Sequence, residues 1–261
     1  MTEPACTMSS QAARAASMET TVVNTGMGKV VVLGGSSGMG LATAARLAGM
    51  GYAVVATGRD EAKLHRALEP LQGEVSGVAF DAADRAALDV FFAGCGVVDH
   101  VVIALSGGEG AGAFRELDLA ALRRGFAAKF WPHAEAAQAA LPALHAGGSL
   151  TFISSISARI ANPGTAGLAA INAAIEAMVP ILAHELAPMR VNAVSPGVVD
   201  TPWWNAMGEQ GKRDFFAQHA ASLPVGRVGQ ADDVAQAVAF LIGNGFTTGT
   251  VLACDGGLHL L

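Results

Sequence analysis

Lys29-Val-Val-Val-Leu33-Gly34-Gly35-Ser36-Ser37-Gly38-Met39-Gly40-Leu41 is the stretch whose reading decides the fold. Three consecutive valines and a leucine suit a strand buried on both faces. Glycines at 34, 38 and 40 then give G-x-x-x-G-x-G, and Leu41–Met50 predicts a helix. Missing side chains let the backbone turn sharply and approach a pyrophosphate, and a helix N-terminus adds oriented N–H groups. A glycine cluster alone is compatible with a plain tight turn. Placed between a strand and a helix, it points to a dinucleotide phosphate. The candidate contacts are Gly34, Ser36, Ser37, Gly38, Met39 and Gly40.

Working outward, strands alternate with helices. Further strands are predicted at Tyr52–Thr57, Val75–Phe80, His100–Leu105, Ser149–Ser154, Arg190–Val194 and Thr250–Ala253. Helices are predicted at Asp60–Leu68, Ala83–Phe92 and Asp232–Ile242, with two long stretches around Leu117–Leu144 and Thr165–Ala187. Pro132 and Pro180 fall inside those stretches, where kinks are expected. Near-continuous apolar strands separated by helices indicate a parallel sheet covered on both faces. The expected architecture is α/β, a doubly wound parallel sheet of the Rossmann kind, in one domain over 28–261. Residues 1–27 read as a loose tail in which Met18 and Met27 are also plausible starts.

Composition narrows the function. Hydrophobic residues are 52 % and charged residues 15 %, which excludes a disordered chain. A net charge of −6 gives no electrostatic support for nucleic-acid binding. Apolar stretches are interrupted before the roughly 18–20 residues a membrane span needs, so no membrane is expected. Cys6, Cys95 and Cys254 form no C-x-x-C pair and the histidines have no metal spacing, so neither disulfide framework nor metal site is expected. A reducing cytoplasm fits. The second strand ends Thr57-Gly58-Arg59. A carboxylate at this strand end marks NAD, whereas glycine followed by a guanidinium suits a 2′-phosphate. NADP is therefore favoured over NAD, against the alternative that Arg59 is a solvated loop residue. There is one tyrosine, Tyr52.

These features resemble the short-chain dehydrogenase/reductase family over residues 29–257. The carrying residues are the glycine turn, Asp81, Ile153-Ser154-Ser155, Arg190-Val-Asn-Ala-Val-Ser-Pro-Gly197, Thr201, Gly226-Arg-Val-Gly229, Asp233 and Asp255-Gly-Gly257. The resemblance implies that Asp81 receives the adenine amino group. It places Ala104, Ser106, Pro196, Gly197, Val199 and Thr201 around the remainder of the dinucleotide. Residues 201–222 become a substrate lid carrying Trp203, Trp204, Phe215, Phe216 and His219, with ordinary packing as the alternative for the aromatics. It also implies a homodimer or homotetramer built on the two long helices.

The family's catalytic tyrosine and lysine are absent. Thirteen residues after Ser155 stands Leu168, and four further on stands Asn172. The helix position usually occupied by asparagine matches Lys129. Leucine has no proton to give, and losing a positioned acid costs roughly 10²–10⁴ in rate. Ser155, Lys129 and Asn172 are the catalytic candidates: Ser155 bonding the substrate oxygen, Lys129 donating a proton or polarising that oxygen, Asn172 holding the ribose. Alternatively, Lys129 pairs with Glu176 or reaches solvent. His133, one helical turn beyond Lys129, and the Arg123-Arg124 pair read as packing and a solvated face. The function expected is NADP(H)-dependent reduction of a small carbonyl, enone or imine with a non-standard proton donor. A lyase, isomerase or cyclase in the same pocket, or a dinucleotide-binding protein without catalysis, stays open.

Overall fold

Val30 and Val32 face one side of a sheet, Val31 and Leu33 the other, and all four are fully buried. That two-sided burial is the physical reason the strand is uniformly apolar. The computed structural model describes residues 26–261, so the expected tail lies outside the described residues except for its last two. The strands are β1 (Lys29–Leu33), β2 (Ala53–Gly58), β3 (Val75–Ala79), β4 (Val98–Ile103), β5 (Leu144–Ile153), β6 (Arg190–Pro196), β7 (Val199–Asp200), β8 (Gly229–Gln230) and β9 (Val251–Cys254). The helices are α1 (Gly38–Gly49), α2 (Glu61–Leu68), α3 (Arg85–Gly94), α4 (Leu119–Ala128), α5 (Phe130–Ala140), α6 (Ala166–Glu185), α7 (Gly208–Ser222) and α8 (Ala231–Gly243).

Seven strands form one parallel sheet in the order β3-β2-β1-β4-β5-β6-β9, and β7 pairs with β8 apart from it. One core packs Leu88 and Phe92 of α3, Ala136 and Ala140 of α5, and Ile175 and Val179 of α6 against Leu150 and Phe152. The other packs Ala44 and Leu47 of α1, Leu64 of α2 and Val234 and Val238 of α8 against Val54, Ile153 and Val194. The sheet is therefore doubly wound, as expected. The chain proceeds outward in opposite directions from β1 and β4, so the crevice for a ligand lies at the C-terminal ends of these two strands.

Four local readings need correction. The stretch around 117–144 is two helices broken at Lys129 (φ −128°, ψ −61°), not a single helix kinked at Pro132. Pro132 lies in the first turn of α5, where its missing N–H costs no intrahelical bond. β5 begins at Leu144, five residues earlier than expected, with irregular pairing to β4 between Val98 and His100. Most of the expected lid is helical, as α7. Finally, α6 passes the length and hydropathy test for a membrane span, with mean hydropathy 1.7 over a window with few charges. Its Ile171, Ile175 and Val179 are buried in the protein, and the helix continues through Pro180.

Phe152 is fully buried between the α5 and α6 layers and stacks on His133, ring centroids 6.2 Å apart. Phe152→Ala is expected to destabilise the fold by about 3–5 kcal/mol. Chemical denaturation measures this, and a loss below about 1 kcal/mol would contradict the packing described.

Candidate active site

The glycine turn is shaped by contacts that no side chain could share. Gly34 has φ +85°, and a Cβ there would lie 2.6 Å from the Ala104 carbonyl oxygen. A Cβ on Gly40 would collide with the carbonyl of Gly34, and Gly38 has φ +55°. Gly38 also lies against Thr201, whose Cβ would be 3.5 Å from an added methyl group. Ser37 caps α1 from an extended conformation without a side-chain bond. The first N–H groups of α1 thus open onto the ends of β1 and β4, where an anion is favoured.

At the end of β2, an added Cβ on Gly58 would lie 2.9 Å from Ser36 Cβ. A carboxylate side chain at position 58 would therefore displace Ser36. Arg59 is exposed and has no hydrogen-bond or ion-pair partner among the described residues. Asp81 is exposed as well, and its Oδ1 accepts from the Ala83 N–H at 3.0 Å. Pro196, Val199 and Thr201 are buried beside Gly197, which passes close to the Asp255 backbone. Ser106 is exposed in the loop after β4. Trp203, in the expected lid, donates its Nε1–H to the Gly107 carbonyl in that loop at 3.3 Å. Trp203, Trp204, Phe215 and His219 pack ring to ring at 4.5, 4.6 and 4.0 Å. The aromatics of the expected lid thus make a cluster of their own.

The three catalytic candidates meet through a fourth residue that the sequence reading missed. The Lys129 ammonium donates to Asn172 Oδ1 at 2.8 Å and to the Ser154 carbonyl at 3.2 Å. Asn172 Nδ2 donates to Ser157 Oγ at 3.2 Å and to the Leu168 carbonyl at 2.8 Å. Ser157 Oγ donates to Ser155 Oγ at 3.3 Å. Neither alternative for Lys129 describes these contacts. Its ammonium is held inside the protein, and Glu176 is engaged by Ser154 Oγ at 2.7 Å, Ser195 Oγ at 2.8 Å and Arg159 Nε at 2.7 Å. Asn172 is 4 % exposed and both its amide atoms are engaged within the protein. It holds the chain together rather than presenting an open group to a ribose. Leu168 stands partly buried one helical turn before Asn172. Tyr52 is 5 % exposed at the opposite end of the sheet, against His100.

Burial pushes the Lys129 ammonium down from 10.5 to about 8, opposed by the attraction of Glu176. His133 is fully buried, and its Nδ1–H donates to the Lys129 carbonyl at 2.7 Å. Burial, with the nearby Lys129 charge, lowers His133 to about 3, so the ring is neutral at physiological pH. Ser157 carried no charge or spacing signal. The spacing of Asn172 and Glu176, four residues apart on one helix face, could have flagged the polar side of α6.

The sequence profile of the enoyl-(acyl carrier protein) reductase family matches residues 34–259. The chain belongs to the short-chain dehydrogenase/reductase family. It is 32 % identical over 250 residues to 1-cyclohexenylcarbonyl-CoA reductase of Streptomyces collinus, covering 88 % of this chain and 86 % of that one. A small-chain dehydrogenase solved in complex with NADPH is 33 % identical, with TM-score 0.79 over 90 % of this chain and 99 % of the other. An NADPH-bound short-chain oxidoreductase from Pseudomonas aeruginosa PAO1, described as containing an atypical catalytic center, is 29 % identical. Its TM-score is 0.82, over 88 % of this chain and 96 % of the other.

The depressed Lys129 value has a consequence for stability. Between about 8 and 10.5 the unfolded chain binds more protons at this group than the folded one. Stability contributed through Lys129 therefore rises with pH across that window. The stability difference between wild type and Lys129→Met is expected to move in favour of wild type as pH rises through it. Parallel denaturation curves at every pH would contradict this.

Proposed function

We propose that this chain is an NADP(H)-dependent reductase of a small carbonyl-conjugated substrate, an enone or enoyl thioester. The Ser155 hydroxyl stabilises the developing oxygen anion without a phenolic acid. Support comes from one observation: Lys129, Asn172 and Ser157 each donate a hydrogen bond to the next member of a chain that ends at Ser155. Because Ser155 Oγ accepts from Ser157, its own O–H is left to donate outward. The buried positive charge at the far end orients the series, as charges polarise hydrogen-bond networks in a low-dielectric interior.

The same chain limits what Lys129 can do. An amide passes a hydrogen-bond polarity but is a poor carrier of a proton, so Asn172 separates the ammonium from the reacting oxygen. Lys129 thus acts as a positioning residue and Ser155 as the group that touches substrate. A hydrogen bond without proton delivery suits an enolate oxygen better than an alkoxide, because the enolate is much less basic. The carbon proton then comes from water. This favours the enone class over a simple carbonyl.

The residues fit a dinucleotide. The backbone of Gly34–Gly40 would cradle the pyrophosphate, Arg59 would meet the 2′-phosphate and Asp81 the adenine. Ala104, Ser106, Pro196, Gly197, Val199 and Thr201 would surround the nicotinamide side. NADPH, when bound, supplies the hydride. The free thiols Cys95 and Cys254 are compatible with a reducing cytoplasm. Leu119 and Trp131, 55 % and 56 % exposed on α4 and α5, support a homodimer or homotetramer paired through these helices.

Fluorescence titration is expected to show NADPH binding at least about tenfold more tightly than NADH, with Arg59→Ala removing most of the preference. Oxidation of NADPH is then followed across aldehydes, ketones, enones, enoyl thioesters and imines. Turnover of the conjugated substrates is expected. Binding without oxidation of any of them would overturn the reductase reading and favour a lyase, isomerase or silent binding protein. Ser155→Ala is expected to lower kcat by about 10²–10³, the cost of one oxyanion donor. Lys129→Met should lower kcat with NADPH affinity retained, and unchanged kcat would contradict its role.

A further inference from the structure

We propose that Glu176 is a positioning residue that keeps the Lys129 ammonium charged and aims the Ser154 carbonyl at it. The inference rests on the role just given to Lys129. Ser154 joins the two groups: its carbonyl accepts from Lys129 at 3.2 Å while its hydroxyl donates to Glu176 Oε1 at 2.7 Å. Ser195, fully buried on β6, donates to the same carboxylate oxygen at 2.8 Å. Arg159 Nε holds the other oxygen at 2.7 Å. The Glu176 side chain is only 10 % exposed. Three donors therefore fix a carboxylate beside the cradle of the ammonium without letting it form a direct ion pair.

This arrangement separates two tasks. A direct Lys129–Glu176 pair would pull the ammonium away from Asn172 and break the series leading to Ser155. With the carboxylate held by Ser154, Ser195 and Arg159, its negative charge still favours the ammonium while an N–H bond stays with Asn172. Arg159 offsets part of that charge from the exposed side, being 40 % exposed. Other titratable groups on the surrounding elements do less. His133 on α5 is neutral, and Glu135 lies on the same helix, six residues beyond Lys129. Arg124 on α4 and Glu109 in the loop after β4 are paired to each other at the surface. Arg123 beside them is exposed. The opposed pair Glu176 and Arg159 thus makes a two-signed prediction.

The chain has four lysines, Lys29, Lys63, Lys129 and Lys212. Protein labelled with ¹³C at lysine Cε therefore gives a simple spectrum, and the signal missing from Lys129→Met assigns the site. The Lys129 midpoint is followed by pH titration in the full chain, wild type and variants. In wild type it is expected near about 8. Glu176→Gln should lower it by about half to one pH unit, and Arg159→Gln should raise it. Glu176→Asp, which keeps the charge, should stay closer to wild type than Glu176→Gln. A structural role alone would not give shifts of opposite sign. A midpoint unmoved or raised in Glu176→Gln, or shifts of one sign in both variants, would overturn the proposal. The alkaline limb of NADPH oxidation, measured on the same variants, should follow the midpoint. If the midpoint moves as stated and the limb does not, Glu176 sets the charge as proposed and the catalytic reading of Lys129 fails instead.

Discussion

The hydrogen bond from the Lys129 ammonium to Asn172 is the contact on which the site depends. It exists because the helical stretch after β4 breaks at Lys129, whose backbone leaves the α region between α4 and α5. His133 clamps the freed turn by donating to the Lys129 carbonyl. From there the side chain reaches the end of β5 and the first turns of α6. Withdrawing an ammonium from water is costly unless its protons find acceptors. Asn172 Oδ1 and the Ser154 carbonyl provide two, with Glu176 adding charge nearby. The remaining cost shows in the lowered proton affinity of the group.

The two halves of the crevice obey different constraints. Around the glycine turn, backbone meets backbone at Gly34 against Ala104 and at Gly40 against Gly34, and Gly58 lies against the Ser36 side chain. Nothing larger than hydrogen fits, so this half is fixed by sterics and follows the family. Around Ser155, specificity rests on side chains whose donors can be reassigned while the fold stays the same. Exchanging tyrosine and lysine for Leu168 and Asn172, with the cation now at 129, leaves β5 and α6 in place. In the proposed reaction it changes which group carries the proton and which carries the charge.

Much of this was legible in the residues. A β-branched run followed by spaced glycines fixes strand, turn and helix through local sterics, and the sheet order follows from repeating that unit. A single tyrosine, placed just before β2, was enough to remove the phenolic acid from the crevice. The break at Lys129 was not legible, because proline at 132 is the stronger local signal, and in a first turn proline is harmless. The contacts of Asn172 were not legible either. Its partners come from the break between α4 and α5 and from the 3-10 turn Ile156–Ala158, contacts between elements apart in sequence. Ser157 is a serine among several small residues, and only the fold aligns it with Ser155. The hydropathy of α6 overstated its apolar character, because Asn172 and Glu176 are engaged in polar contacts within the protein.

The central claim is that Ser155 is polarised through Ser157 by the charge at Lys129. The most direct measurement is kcat for NADPH-dependent reduction of an enone by Ser157→Ala and Ser157→Thr. The account predicts a fall of about tenfold or more in the alanine variant, recovery toward wild type when threonine restores the hydroxyl, and NADPH affinity unchanged in both. An alanine variant that turns over as fast as wild type would show that Ser155 works without the chain and would contradict the account.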